Sequence, residues 1–224
     1  MSQRFPAHPY LTAHFAPISF EADAADLPIW GEVPKDLGGT LYRNGPNPQF
    51  APRDSNYHWF LGDGMIHAFH IEHGRVSYRN RWVQTPKFLA ERAAHRALYG
   101  SWGDPITTDP SVRGKESGVA NTNVIWHGGK LLAVEEAHQP FAIDPDTLAS
   151  QGYWDFASAL KTGRFTAHPK LDPAKGVGRL HRWTFDLAGT SDGFAREPID
   201  DLPADFPRLD ERFALNPYRY GFFT

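Results

Sequence analysis

The apolar positions of this chain fall in short runs, and the runs repeat one unit: strand, tight turn, strand. In "WFLGDGMIHAFHIEHGRVSYRNRWVQTP" alternation with a period of two predicts a strand from Met65 to Ile71, a turn at Glu72 to Gly74 and a return strand from Arg75 to Val83. Upstream, "GEVPKDLGGTLYRNGPNPQF" predicts a turn, a short strand from Thr40 to Arg43, and a stop at the Asn-Gly-Pro-Asn-Pro loop. Downstream, "SGVANTNVIWHGGKLLAVEEAHQPFAIDPDTL" predicts two strands joined by a His-Gly-Gly-Lys turn and a third entering the Asp-Pro-Asp turn. Leu89 to Leu98 is Ala-rich and predicts a short helix. The first 30 residues have no sustained period and carry Pro6, Pro9, Pro17 and Pro28, which predicts an extended arm lying over the body. Near the C-terminus, "GRLHRWTFDLA" alternates as a strand, and "REPIDDLPADFPRLDERF" is acidic, proline-broken and read as an edge loop. The pattern as a whole predicts an all-β architecture of blade-like meanders, either a propeller or an open sandwich.

Composition sharpens this picture. Gly (20) and Pro (19) punctuate a chain that holds 7 Trp, 8 Tyr and 16 Phe, so bulky strand-favouring residues alternate with breaks. At 224 residues one substantial domain is expected. The formal net charge of -3 offers no basic field for phosphate backbones, so no nucleic-acid partner is expected. Cysteine is absent, which removes disulfides, thiolate metal sites and cysteine nucleophiles, so a bound metal would rest on His, Asp or Glu. The N-terminal stretch lacks the apolar core of a signal peptide, and no run approaches the length of a membrane span, giving a cytoplasmic expectation.

Several polar groupings invite a chemical reading. His67, His70 and His73 cluster in sequence, but on a strand His67 and His73 share a face while His70 points oppositely, as ordinary polar strand and turn residues would. His127 and His138 read as loop histidines, and Gly62-Asp63-Gly64 reads as a turn because no P-loop Lys-Ser/Thr follows. No Gly-x-Ser-x-Gly elbow is present. The adjacent carboxylates Glu135-Glu136 and Asp200-Asp201 face opposite sides of a strand, so neither pair forms a two-carboxylate site alone. His168 is set apart by Pro169, which holds it extended, and by Ala167, which leaves room for an approaching group. Either a metal ligand or a structural histidine fits that setting.

The motifs "GEVPKDLGGTLYRNGPNP", "HWFLGDGMIHAF", "YRNRWVQTPKF", "ANTNVIWHGGKLLAVEEAHQPFAIDPDTL" and "FTAHPKLDP" occur in this order. Together they resemble the N-terminal part of the carotenoid cleavage oxygenases, over about Trp30 to Pro173. The resemblance implies a seven-bladed parent propeller, of which this chain supplies a partial β-propeller with an extended N-terminal arm. It also implies an iron(II) held by four histidines from different blades, and cleavage of a carotenoid, apocarotenoid or stilbene double bond by dioxygen into two carbonyl products. The implied partners are an apolar conjugated small molecule, dioxygen and a peripheral membrane contact. By the same resemblance His168, within Ala167-His168-Pro169, is the first iron ligand, and Glu136, within "LLAVEE", orients a ligand imidazole from the second shell.

The family pattern then breaks. "AHPKLDP" runs through Ala174-Lys175 into "GVGRLHRWTFDL", which resembles a stretch lying far downstream in the family. The segments that carry the second and third ligands are missing between them, and the fourth lies beyond the end. The chain accordingly reads as an arm (1–29), N-terminal blades (30–173) and a downstream segment (174–224) joined after an internal deletion and truncated at the C-terminus. Seven blades of roughly 40 residues each exceed this length, so open sheet edges and self-association through them are expected. Three of four ligands being absent, the chain is expected to be inactive as it stands, the alternative being a non-catalytic remnant or binding module of the same family. The stilbene-cleaving branch has a tyrosine where Trp102 stands in "LYGSWGDP", with Tyr99 three residues earlier, so phenol activation is not expected.

Overall fold

A computed structural model describes residues 5–169 in full, and beyond these the backbone strands His181–Phe185, Phe194–Pro198, Arg208–Leu209 and Gly221–Phe222. The chain divides into two compact units, 1–167 and 168–224. The first holds two four-stranded antiparallel sheets. One has the order β1 (Asp23–Ala24), β4 (Arg75–Trp82), β3 (Gly64–Glu72), β2 (Gly39–Pro46). The other runs in chain order through β5 (Asn123–His127), β6 (Lys130–Val134), β7 (Phe141–Ile143) and β8 (Ser150–Tyr153). Each is a blade-like meander, and the class is all-β. In the second unit β9 (His181–Phe185) pairs with β10 (Phe194–Pro198), and β11 (Arg208–Leu209) with β12 (Gly221–Phe222).

The hairpin of β3 and β4 forms where the alternation places it. His73 and Gly74 turn the chain with positive φ of 50° and 77°, so His73 belongs to the turn and shares no strand face with His67. β2 extends three residues past Arg43 because Asn44, Gly45 and Pro46 keep pairing with Ile66, Met65 and Gly64. The helix α1 spans Pro86–Ala94, three residues earlier than its composition suggests. Thr85 caps its start, accepting the Phe88 N–H at 3.2 Å, Pro86 occupies the first turn, and a left-handed His95 ends it. β8 has no counterpart in the sequence reading, its four residues being too short and polar to alternate. β10 and β11 fall inside or against the acidic stretch read as a loop, at Phe194–Pro198 and Arg208–Leu209. The domain boundary expected at 173/174 lies outside the described residues.

The two sheets of the first unit share one core, with Ile66, Ala68 and Val83 packing with Leu131, Ala133, Phe141 and Ile143. The arm is held by two asparagine side chains. Asn47 accepts the Ile18 N–H at 2.7 Å and donates to the Ile18 carbonyl at 2.9 Å, imitating a strand partner. Asn80, fully buried, accepts the Ala22 N–H at 2.6 Å and donates to Phe20 at 3.1 Å.

Between α1 and the turn before β3, Lys87 donates to Asp63 at 2.8 Å and to Glu91 at 2.9 Å, all three buried. Burial opposes the ammonium charge, but the two carboxylates outweigh it and hold the Lys87 pKa above the ordinary lysine value. Replacing Lys87 by Met leaves two buried carboxylates without their cation, and a loss of about 3–5 kcal/mol in denaturant unfolding is expected. Gly64 donates to the Val119 carbonyl at 2.8 Å, and a β-carbon there would sit 2.3 Å from the Ala120 carbonyl oxygen. The substitution Gly64→Ala is therefore expected to cost about 1–3 kcal/mol by the same measurement, with the backbone forced to shift.

Candidate functional site

The segment Gly118–Asn123 crosses between the two sheets, and asparagine side chains bond it to the backbone on either side. Asn44 on β2 donates to the Ala120 and Asn123 carbonyls at 2.8 and 2.9 Å, and Asn121 donates to Phe60 and Gly62 at 2.6 and 2.7 Å. Asn123 donates to the Ala167 carbonyl at 3.1 Å, fixing the chain immediately before His168. His168 itself is half-buried at the start of the second unit, and Glu136 is exposed in the first.

Glu135 and Glu136, expected on opposite faces of a strand, follow β6 in the bend after it, with Glu135 buried and Glu136 exposed. The Glu135 Oε1 accepts the Val119 N–H at 3.0 Å and lies 2.6 Å from His138 Nδ1. On the other side of the ring, His138 Nε2 lies 2.9 Å from Glu116 Oε1. The same Glu116 oxygen accepts the Gly118 N–H at 2.9 Å and the Tyr153 hydroxyl at 3.2 Å, while the Glu116 carbonyl accepts the Tyr99 hydroxyl at 2.7 Å. A β-carbon on Gly118 would lie 2.3 Å from the Tyr153 oxygen and 3.1 Å from each glutamate, so glycine is what the packing admits there. The hydrogen bond from the Glu135 side raises the His138 pKa above 6.5 against an opposing cost of burial. Burial, followed by the negative charge of Glu116 and Glu135, pushes the Tyr153 phenol well above the usual tyrosine range.

His138 is thus a half-buried histidine between two carboxylates, where the sequence suggested an ordinary loop residue. The Glu135-x-x-His138 spacing was the one available signal, and nothing in sequence separation points to Glu116. The other histidines are scattered. His67 meets the Tyr78 hydroxyl at 2.7 Å, with burial and the nearby Arg43 holding its pKa below the ordinary value. His70 meets Thr40 at 2.9 Å, and the His127 ring packs edge-on against Phe156. Asp200 and Asp201 lie outside the described residues, and of His181 only the backbone strand is described.

Among the described residues no group of three or more His, Asp or Glu is placed to hold a metal ion. The described residues therefore do not by themselves make up the four-histidine site that the family resemblance implies. Trp102, in the left-handed region with φ of 53° and 59% exposed, packs against His58 at 5.7 Å beside Phe60, which is 54% exposed. The Tyr99 hydroxyl donates to the Glu116 carbonyl at 2.7 Å.

Comparison with known proteins then gives one answer. The family described as "Retinal pigment epithelial membrane protein" matches residues 15–177. The isoeugenol monooxygenase of Pseudomonas nitroreducens is 46% identical over 75% of this chain and 35% of its own length. The lignostilbene-alpha,beta-dioxygenase isozyme III of Sphingomonas paucimobilis is 41% identical over 77% and 35%. The carotenoid cleavage oxygenase of Mycobacterium tuberculosis is 39% identical over 90% of this chain and 40% of its own. Among solved structures, Pseudomonas brassicacearum lignostilbene dioxygenase superposes with a TM-score of 0.74 at 42% identity, over 78% of this chain and 36% of that one. The chain spans about a third of the length of the first two of these relatives. Within the polar cluster, Tyr153→Phe removes one donor to Glu116, and a loss of about 1 kcal/mol in denaturant unfolding is expected.

Proposed function

The chain belongs to the Retinal pigment epithelial membrane protein family, that of the carotenoid cleavage oxygenases, and on that premise we propose that its chemistry derives from oxidative cleavage of a double bond by dioxygen. The products would be two carbonyl compounds, one oxygen atom of O₂ going to each carbon of the broken bond. Relatives named for isoeugenol, lignostilbene and carotenoids support aryl-substituted alkenes and conjugated polyenes as the substrate class. Trp102 supports the less phenolic end of that class, because an indole N–H donates a hydrogen bond but takes no proton from a hydroxystilbene.

His168 is the residue we assign as the first of four iron ligands, with Glu136 acting on a ligand imidazole. The observation that carries the reading of this particular chain is the lack, among the described residues, of any convergent set of three metal-binding side chains. A single imidazole binds divalent iron weakly and unselectively, since affinity comes from converging donors. The 224-residue polypeptide is therefore proposed to carry the family's N-terminal blades and one ligand, with residues 174–224 following an internal deletion, and not to turn over substrate by itself.

Two measurements on one purified sample test this. Metal analysis after anaerobic loading with iron(II) is expected to give well below one iron per chain, with His168→Ala changing it little. Incubation with a stilbene and with an apocarotenoid is expected to yield no aldehyde. Stoichiometric iron together with carbonyl products would overturn the assignment.

A further inference from the structure

The cluster around His138 has a property independent of any metal. A neutral imidazole has one N–H and one lone pair, yet both ring nitrogens here face carboxylate oxygens, at 2.6 Å toward Glu135 and 2.9 Å toward Glu116. Nδ1 is hydrogen-bonded to Glu135 and Nε2 stands at ion-pair distance from Glu116, so only the imidazolium pairs its charge with both. We propose that His138 is a pH-dependent clasp that, when protonated, holds the loop segment Glu116–Val119 against the end of β6, and releases it when the proton is lost.

Each element packed on the ring contributes a group that bears on this. The loop supplies Glu116, the bend just after β6 supplies Glu135, β8 supplies the Tyr153 hydroxyl to Glu116, the stretch after α1 supplies the Tyr99 hydroxyl to the Glu116 carbonyl, and Arg164 adds a positive charge that opposes protonation. The carboxylates prevail, since the Glu135 hydrogen bond is the largest influence on His138 and raises its pKa. What the clasp holds is also defined. The Gly118 and Val119 N–H groups donate to the two glutamate oxygens that flank the ring. On deprotonation a lone pair faces one carboxylate, and the two glutamates repel each other across the glycine without a cation between them. A raised histidine pKa stabilises the folded arrangement fully below the ordinary value of 6.5, and the contribution is lost as the pH rises through the folded value. The clasp therefore opens toward alkaline pH.

Amide hydrogen exchange by NMR on the full chain, expressed as protection factors, tests the clasp directly. The Gly118 and Val119 amides are expected to lose protection several-fold between about pH 6 and about pH 9, while Leu132 in the middle of β6 keeps its own. In His138→Gln the step disappears, and in the wild-type protein the His138 ring protons titrate above 6.5. An equal loss of protection in the variant, or a His138 midpoint at or below 6.5, would overturn the proposal. Should His138→Gln fail to fold, Glu116→Gln removes the more exposed partner and is expected to lower the His138 midpoint. An unchanged midpoint in that variant overturns the clasp as well.

Discussion

The joint between the two sheets is a backbone segment whose hydrogen bonds are completed largely by side chains of its neighbours. Gly118–Asn123 carries carbonyls and amides that strand pairing leaves open until β5 begins; the Asn44 and Glu135 side chains and the Gly64 N–H answer them, while Asn121 within the segment donates outward to the Phe60 and Gly62 carbonyls. Burying a peptide group without a partner costs more than most single contacts return, so this lacing decides how the sheets meet. Gly64 sets the closest approach, because the Ala120 carbonyl occupies the space where its side chain would be. The shared core of Ile66, Val83, Leu131 and Phe141 supplies much of the burial, but it is non-directional and would tolerate a slip that the asparagines would not.

How much of this could be read from the sequence follows from the range of each interaction. The β3–β4 hairpin was legible because its alternation and its His-Gly turn are local. The start of α1 was misplaced by three residues because Thr85-Pro86 is a cap signal that composition alone does not weigh. β8 was hidden because Ser150, Gln151 and Gly152 have no strand pattern, and pairing with β7 makes the strand. Glu135 and Glu136 were read as strand neighbours, but β6 ends at Val134, so what sets them apart is the bend that follows and not strand parity. The partner of Glu135 is three residues away, but Glu116 is more than twenty residues from His138, so the double carboxylate setting is a tertiary fact.

The iron site shows the same limit from the other side. Motif order pointed to the family that the comparison then matched over residues 15–177, and His168 is the residue that motif order proposes as a ligand. A metal centre on a propeller axis, however, is a property of closure, where ligands from separate blades arrive at one point. Two four-stranded sheets can form a core of their own without reaching that condition, because hydrophobic burial is satisfied pairwise between neighbouring blades. Core formation between neighbouring sheets and convergence of ligands at an axis are therefore separate physical conditions.

That separation bears on the polar cluster at the start of the joint. The asparagine bonds that lace Ala120–Asn123 are between neutral groups and do not change with pH, so the middle of the joint keeps its register. The Glu116–His138–Glu135 contacts are charged and change together, since one proton decides whether the ring carries the positive charge that both carboxylates face. Charge is therefore concentrated at one end of an otherwise neutral seam, and Val119 is the residue where the two regimes meet. Its N–H goes to Glu135 and its carbonyl to Gly64. A loop released by loss of that proton would fray up to Val119 and stop there, because the Gly64 hydrogen bond and the Asn44 amide beyond it do not respond to the same event.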